Sequence, residues 1–169
     1  MFLWTKPLGL ATFRNTPEAT VWGLEFEARQ NLGFIESNLR PFSIGINAAY
    51  ISTDVPLQPE IQEMKFMSTG EWIESRPLYD QSPYIINADL SYQNERTGTT
   101  VTLATYYAAE RLALIVNNGW DVYEQGALGL DLILSQRLTK SLKAKFTARN
   151  LLNPEVMQSY AVSGSTDRE

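Results

Sequence analysis

Apolar residues recur at every second position in six stretches of the chain, and the connections between them alternate short and long. The stretches are 21–29 (VWGLEFEAR), 42–50 (FSIGINAAY), 84–92 (YIINADLSY), 100–109 (TVTLATYYAA), 128–136 (LGLDLILSQ) and 142–149 (LKAKFTAR). Successive side chains of a strand point to opposite faces, so this period predicts strands with one greasy and one wet surface. The predicted strands lie near residues 20–30, 41–53, 83–95, 99–110, 127–137 and 142–150. In the first, Trp22, Leu24, Phe26 and Ala28 oppose Glu25, Glu27 and Arg29; in the second, Phe42, Ile44, Ile46, Ala48 and Tyr50 oppose Asn47 and its small neighbours. In the third, Ile86, Ala88 and Leu90 oppose Asn87 and Asp89; in the last two, Leu130, Leu132, Leu134 and Phe146 oppose Asp131, Lys143, Lys145 and Arg149.

Residues 31–40, 94–98 and 137–141 are the short connections, and 54–82, 111–126 and 150–169 the long ones. Outer-membrane barrels join their strands by short periplasmic turns and longer extracellular loops. The predicted fold is therefore all-β: antiparallel up-and-down strands forming part of a transmembrane β-barrel. Residues 1–19, broken by Pro7, Gly9, Asn15 and Pro17, read as loop, as does the tail from Asn153. The stretch 54–82 contains a helix-compatible piece, PEIQEMKFM, with Ile61, Met64 and Met67 at three-residue spacing.

Isolated charges in a dry interior cost several kcal/mol each, so the polar faces must meet water. Glu25, Glu27, Arg29, Asn47, Asn87, Asp89, Asp131, Lys143, Lys145 and Arg149 are the predicted lumen-facing set. Asp131 and the Lys143/Lys145 pair sit on strands joined by a tight turn, which suggests cross-strand charge pairing. On the greasy face Trp22, Tyr50, Tyr84, Tyr92 and Tyr107 lie toward strand ends, as aromatic belts at membrane interfaces do. In the outward loops Trp72, Tyr79, Trp120 and Tyr123 are candidate stacking platforms for a ligand.

Composition mostly excludes. The net charge of −5 and the lack of any basic stripe argue against nucleic-acid binding. Without Cys or His the chain has no disulfides, no usual zinc ligands and no histidine base. Glu25 and Glu27 share a face, but strand alternation explains that spacing as well as paired-carboxylate catalysis does; no catalytic, metal or cofactor site is expected. No run of about 18 apolar residues is present to form a spanning helix. The amino terminus, MFLWTKPLGLATFRN, lacks a charged leader region and a small-residue cleavage site, so it is not a secretory signal and truncation is expected.

Several segments resemble one family. VWGLEFEARQNLGF (21–34) is similar to the G-x-E-x-E strand of TonB-dependent outer-membrane receptors, and SPYIINADLSYQNERTG (82–98) to their S-P-Y-x-x-N-x-x-L-x-Y strand. DVYEQ (121–125), LDLILSQRL (130–138) and FTARNLLNPE (146–155) resemble the last hairpins, where an N-L-L-N segment closes the penultimate strand. The resemblance implies a barrel of about 22 strands with a plugged lumen, binding a scarce solute such as a siderophore, cobalamin or an oligosaccharide. A TonB complex would act through the plug. This chain carries no plug domain and no TonB-contacting segment, and it ends Ser-Thr-Asp-Arg-Glu rather than in a final strand with an aromatic terminus. The expectation is a non-enzymatic receptor fragment of the Gram-negative outer membrane, its partners being membrane lipid and the missing barrel and plug. The alternatives are a passive porin-like barrel and a soluble β-sandwich carbohydrate-binding module using Trp72 or Trp120. The sandwich would seal Leu130, Leu132 and Phe146 beneath a second layer.

Overall fold

The computed structural model describes residues 2–5, 11–14, 18–116 and 120–161. The fold is all-β and antiparallel. Its elements are β1 (Phe2–Thr5), β2 (Ala11–Arg14), β3 (Thr20–Asn31), β4 (Phe42–Pro56), α1 (Pro59–Thr69), β5 (Ser75–Arg76), β6 (Tyr84–Asn94), β7 (Thr99–Ala108), β8 (Arg111–Leu114), β9 (Asp121–Glu124), β10 (Ala127–Arg137), β11 (Lys143–Ala148) and β12 (Gln158–Ala161). The principal sheet is a meander in the order β3-β4-β6-β7-β10-β11, with β5 paired to the end of β4. Its two outer strands do not pair with each other, so the sheet is open among the described residues.

Register lines up the apolar positions across the sheet. Three rows carry Phe26–Ala48–Ile86–Tyr107–Leu128, Ala28–Ile46–Ala88–Thr105–Leu130 and Gln30–Ile44–Leu90–Leu103–Leu132–Ala148. A slip of one residue anywhere would throw these side chains to the polar face. Turn chemistry fixes the register at the short connections. In 95–98 the Asn94 carboxamide accepts from the backbone of Arg96 and Thr97, and Gly98 adopts a positive φ of 69°, which glycine takes without steric penalty. In 31–40 the Asn31 carboxamide accepts from Gly33 N ahead of two short 3-10 turns.

Among the described residues no second layer covers the apolar face. Phe146 is 60% exposed and Phe26 59% exposed, and neither Leu130 nor Leu132 is buried. The buried apolar residues lie instead at the long-connection end: Val55, Leu57, Leu112, Ile115, Val122, Tyr123 and Ala161. There β8, β9 and β12 make a small sheet, and Leu112, Ile115, Tyr123 and Ala161 form its core with Leu78 and Tyr79 packed on it. This cap, with α1 and β5, replaces the irregular loops expected of 54–82 and 111–126. β4 accordingly runs beyond residue 53 to Pro56, where Val55 pairs with Arg76.

Other boundaries also differ from expectation. Residues 1–19, read as loop, contain the hairpin β1–β2, and the tail read as loop contains β12. These strands have four residues each, too short for alternation to register. The breakers Pro7, Gly9, Asn15 and Pro17 and the final residues 162–169 lie outside the described residues. The last long strand is shorter than 142–150: the Leu142 carbonyl closes the turn by accepting from Leu138 N and Thr139 N, and Arg149 follows the last paired residue.

One cross-strand pair sets a strict size limit. Tyr106 lies opposite Gly129, and a Cβ on Gly129 would fall inside the Tyr106 ring. Overfilling a packed contact costs about 1–3 kcal/mol. Gly129→Ala should lower unfolding stability in detergent by that amount, and by much less in a Tyr106→Ser background; equal losses in both backgrounds would contradict the ring-over-glycine contact.

Candidate functional site

The polar face gathers most of the residues picked out in the sequence. Its rows are Glu27–Asn47–Asn87–Tyr106–Gly129 and Arg29–Gly45–Asp89–Ala104–Asp131, with Glu25 on β3 and Lys143 and Lys145 on β11. At its centre Arg29 reaches across the whole of β4 to Asp89. Nη2 donates to Oδ1 at 2.6 Å and Nη1 to Oδ2 at 3.1 Å. Two parallel bonds of this kind fix a guanidinium and a carboxylate in one plane. The strand between them carries glycine at the crossing point: a Cβ on Gly45 would lie 2.5 Å from Asp89 Oδ1 and 2.6 Å from Arg29 Nη2. From Asp89 the network continues through Ser91, which donates to Oδ2 at 3.3 Å, to the Thr102 hydroxyl at 2.9 Å. Beside it Asn87 Nδ2 donates to Asn47 Oδ1 at 3.4 Å.

The expected pairing of Asp131 with Lys143 or Lys145 does not occur. Register sets Lys145 opposite Ser135 and Lys143 opposite Arg137. Asp131 Oδ1 instead accepts the backbone N–H of Asn150 at 2.9 Å, and Leu151 N donates to Leu130 O at 2.8 Å. The N-L-L-N segment thus turns the chain back onto β10, with Asn150 and Asn153 at φ 56° and 42°. Asparagine tolerates that left-handed region better than most residues. The polar face is left lopsided: Glu25 and Glu27 stand at the β3 edge, and Arg137, Lys143 and Lys145 at the β11 edge. A face of this kind offers water and charged partners acidic groups toward one edge and basic groups toward the other. Among the described residues no acidic cluster would hold a metal ion.

The cap contains chemistry that sequence reasoning missed. Lys65 is 2% exposed and Asp121 fully buried, and Lys65 Nζ lies 3.0 Å from Asp121 Oδ2. Asp121 Oδ1 also accepts from Val116 N at 3.2 Å. Arg76 is buried nearby; burial pushes its guanidinium below the usual arginine range, and Asp121 and Tyr123 pull it partly back. At the cap's edge Arg111 bridges Asp80 (3.2 Å) and Glu124 (2.8 Å), and Gln125 Nε2 donates to Glu110 and Ser159. No sequence signal flagged Lys65 or Asp121, because charges far apart in the chain show no periodicity.

The four loop aromatics separate. Tyr123 is 6% exposed and belongs to the cap core, and Tyr79 packs against that core. Trp120 is half-buried. Trp72 is exposed and meets Phe66 edge-on with ring centroids 5.7 Å apart. Of the four, only Trp72 presents an open ring as a stacking platform would. No family model matches the chain, and neither a curated protein nor a solved structure does.

Removing one member of a buried ion pair costs about 3–5 kcal/mol, because the other charge is stranded. Asp121→Leu should therefore speed hydrogen exchange at Leu112 and Tyr123 by the corresponding factor, and adding Lys65→Met should recover most of the loss. Unchanged exchange in Asp121→Leu would show that the pair does not hold the cap shut.

Proposed function

We propose that this chain is a stretch of the wall of an outer-membrane β-barrel of the TonB-dependent receptor type. Such a protein is not an enzyme; it takes up a scarce solute, such as a siderophore, cobalamin or oligosaccharide, at the expense of the inner-membrane energy supply. The observation that carries the reading is an apolar sheet face without a protein cover, bounded at both ends by aromatic rows. Trp22 meets Tyr50 edge-on and Tyr50 tilts against Tyr84 at the long-connection end, with centroids 5.2 and 5.3 Å apart, and Phe42 tilts against Tyr92 at the other, 5.1 Å apart.

The dimensions fit a bilayer. From Phe42 to Tyr50 on β4 the strand rises about 27 Å at roughly 3.4 Å per residue, which a tilt near 40° reduces to about 21 Å, close to the roughly 25 Å apolar band of such walls. The lone hydroxyl in the middle of that band, Thr105, donates to Gly129 O at 2.9 Å, as a polar group among hydrocarbon must. Six strands fall short of the eight or so that the smallest barrels need, so the open edges of β3 and β11 would pair with further wall. The receptor assignment itself rests on the G-x-E-x-E, S-P-Y-x-x-N and N-L-L-N segments. On it, the partners are membrane lipid, the rest of the barrel, and a plug through which TonB acts. The cap then stands on the extracellular side and the polar face lines the lumen.

Two adjacent residues test the wall. A lipid-facing arginine at mid-height costs about 2–4 kcal/mol, and a lumen-facing one far less. Ala88→Arg should block stable insertion into bilayers while Asn87→Arg is tolerated. Equal tolerance, or cooperative folding without detergent, would overturn the membrane reading. A plug-encoding region upstream in the same reading frame separates the receptor from a passive porin.

A further inference from the structure

Helix α1 is turned inside out. Pro59 opens it, Glu60 lies in its first turn and Gly70, at φ 77°, closes it, so its ends are ordinary. Its faces are not. The one residue it buries is Lys65, drawn inward to Asp121. Three of its four large apolar side chains are exposed: Met67 at 82%, with Met64 and Phe66 on either side of it, while Ile61 is half-buried. Trp72, just beyond the helix, adds its ring to Phe66 and enlarges the patch. A surface helix normally does the reverse, and clustered exposed apolar groups mark an interaction surface.

Charge says what kind. Glu60, Glu63, Glu71 and Glu74 are all exposed, and at about 100° per residue Glu60 and Glu63 share the outward side of α1 with Met67. The cations of this segment, Lys65 and Arg76, are both buried. The outward surface therefore mixes apolar side chains with carboxylates and carries no exposed cation between residues 57 and 76. The cap closes its own core without this face, since Leu112, Ile115, Tyr123 and Ala161, with Leu78 and Tyr79 packed on them, all lie outside α1. We infer that the outer face of α1 with Trp72 is a docking surface for a cationic amphipathic peptide segment, whose apolar side chains cover Met64, Phe66 and Met67 while its Lys or Arg residues meet the glutamates. This goes beyond the wall reading and stands without it, because α1 belongs to the cap.

The probe is a fluorescein-labelled Leu/Lys amphipathic peptide, with a Leu/Glu peptide of the same apolar pattern as the charge control. Anisotropy is read against the full chain in uncharged detergent with empty micelles as blank, or in buffer if the chain proves soluble. The Leu/Lys peptide should bind and the Leu/Glu peptide should not. Neutralising the carboxylates with Glu60→Gln, Glu63→Gln and Glu71→Gln together should weaken binding about tenfold at low salt, the sum of a few partly screened surface pairs. Met64→Ser with Met67→Ser should abolish it; both positions are exposed, and unchanged hydrogen exchange in the cap confirms the variant is folded. Equal binding of the two peptides, or undiminished binding by the double serine variant, would overturn the inference. So would a patch already occupied: a wild-type dimer that the serine variant breaks points to a second copy, and a blue-shifted bimane label on Met67→Cys without peptide points to detergent or lipid.

Discussion

A sheet one layer thick has no interior in which to hide apolar side chains, and everything else in this molecule follows from that constraint. Register brings the leucines, isoleucines and aromatics of β3, β4, β6, β7, β10 and β11 into continuous rows on one face. In water, burying such residues is worth about 1.5–3 kcal/mol each, and leaving them exposed forfeits it. The inner strands satisfy their backbone within the sheet, while the outer edges of β3 and β11 are unpaired among the described residues; on the proposed reading, what the apolar face lacks is a non-aqueous neighbour. The proposed bilayer supplies that neighbour, and the aromatic rows stand where its two interfaces would lie.

The opposite face and the cap meet their polar requirements by different means. On the sheet, Arg29 and Asp89 remain partly solvated and are held by geometry, with Gly45 leaving room for the bridge to pass over β4. A solvated pair of this kind adds little stability but fixes where charge sits. In the cap, Lys65 and Asp121 are withdrawn from water altogether, so each depends on the other. Burying that pair also sets the orientation of α1: with Lys65 inside, Met67 faces out and Met64 and Phe66 lie on the flanks, partly exposed. The long connections are thus a folded cap with its own core rather than slack loops. On the proposed reading, ligand-facing groups would be presented on a preorganised surface.

What the sequence made legible was whatever repeats. The long strands announced themselves because nine or ten residues of strict alternation leave little choice of face, and Glu25, Glu27, Arg29, Asn87 and Asp89 fell on one surface for the same reason. Elements of four residues did not: β8 (RLAL), β9 (DVYE) and β12 (QSYA) form because β9 pairs with β8 on one side and β12 on the other. The Asp131 pairing failed on register, which alternation alone does not give; the turn at 138–142 offsets β11 so that Asp131 meets the returning backbone at Asn150. Tyr123 looked like a loop aromatic and is a core residue, since burial in the cap depends on partners remote in sequence. The helix was visible in PEIQEMKFM, but its inversion was not, because only the structure reveals that Lys65 has a buried carboxylate to reach.

The central claim is that the two faces of this sheet meet different solvents. The chain has no cysteine, so single spin-labelled cysteines at successive positions of β6 can report each face without background. In reconstituted membranes, labels at Ile86, Ala88 and Leu90 should be relaxed by lipid-soluble oxygen and those at Asn87, Asp89 and Ser91 by a water-soluble nickel chelate, alternating with a period of two. Equal access of the nickel chelate to all six positions, or its exclusion from both faces, would contradict the account.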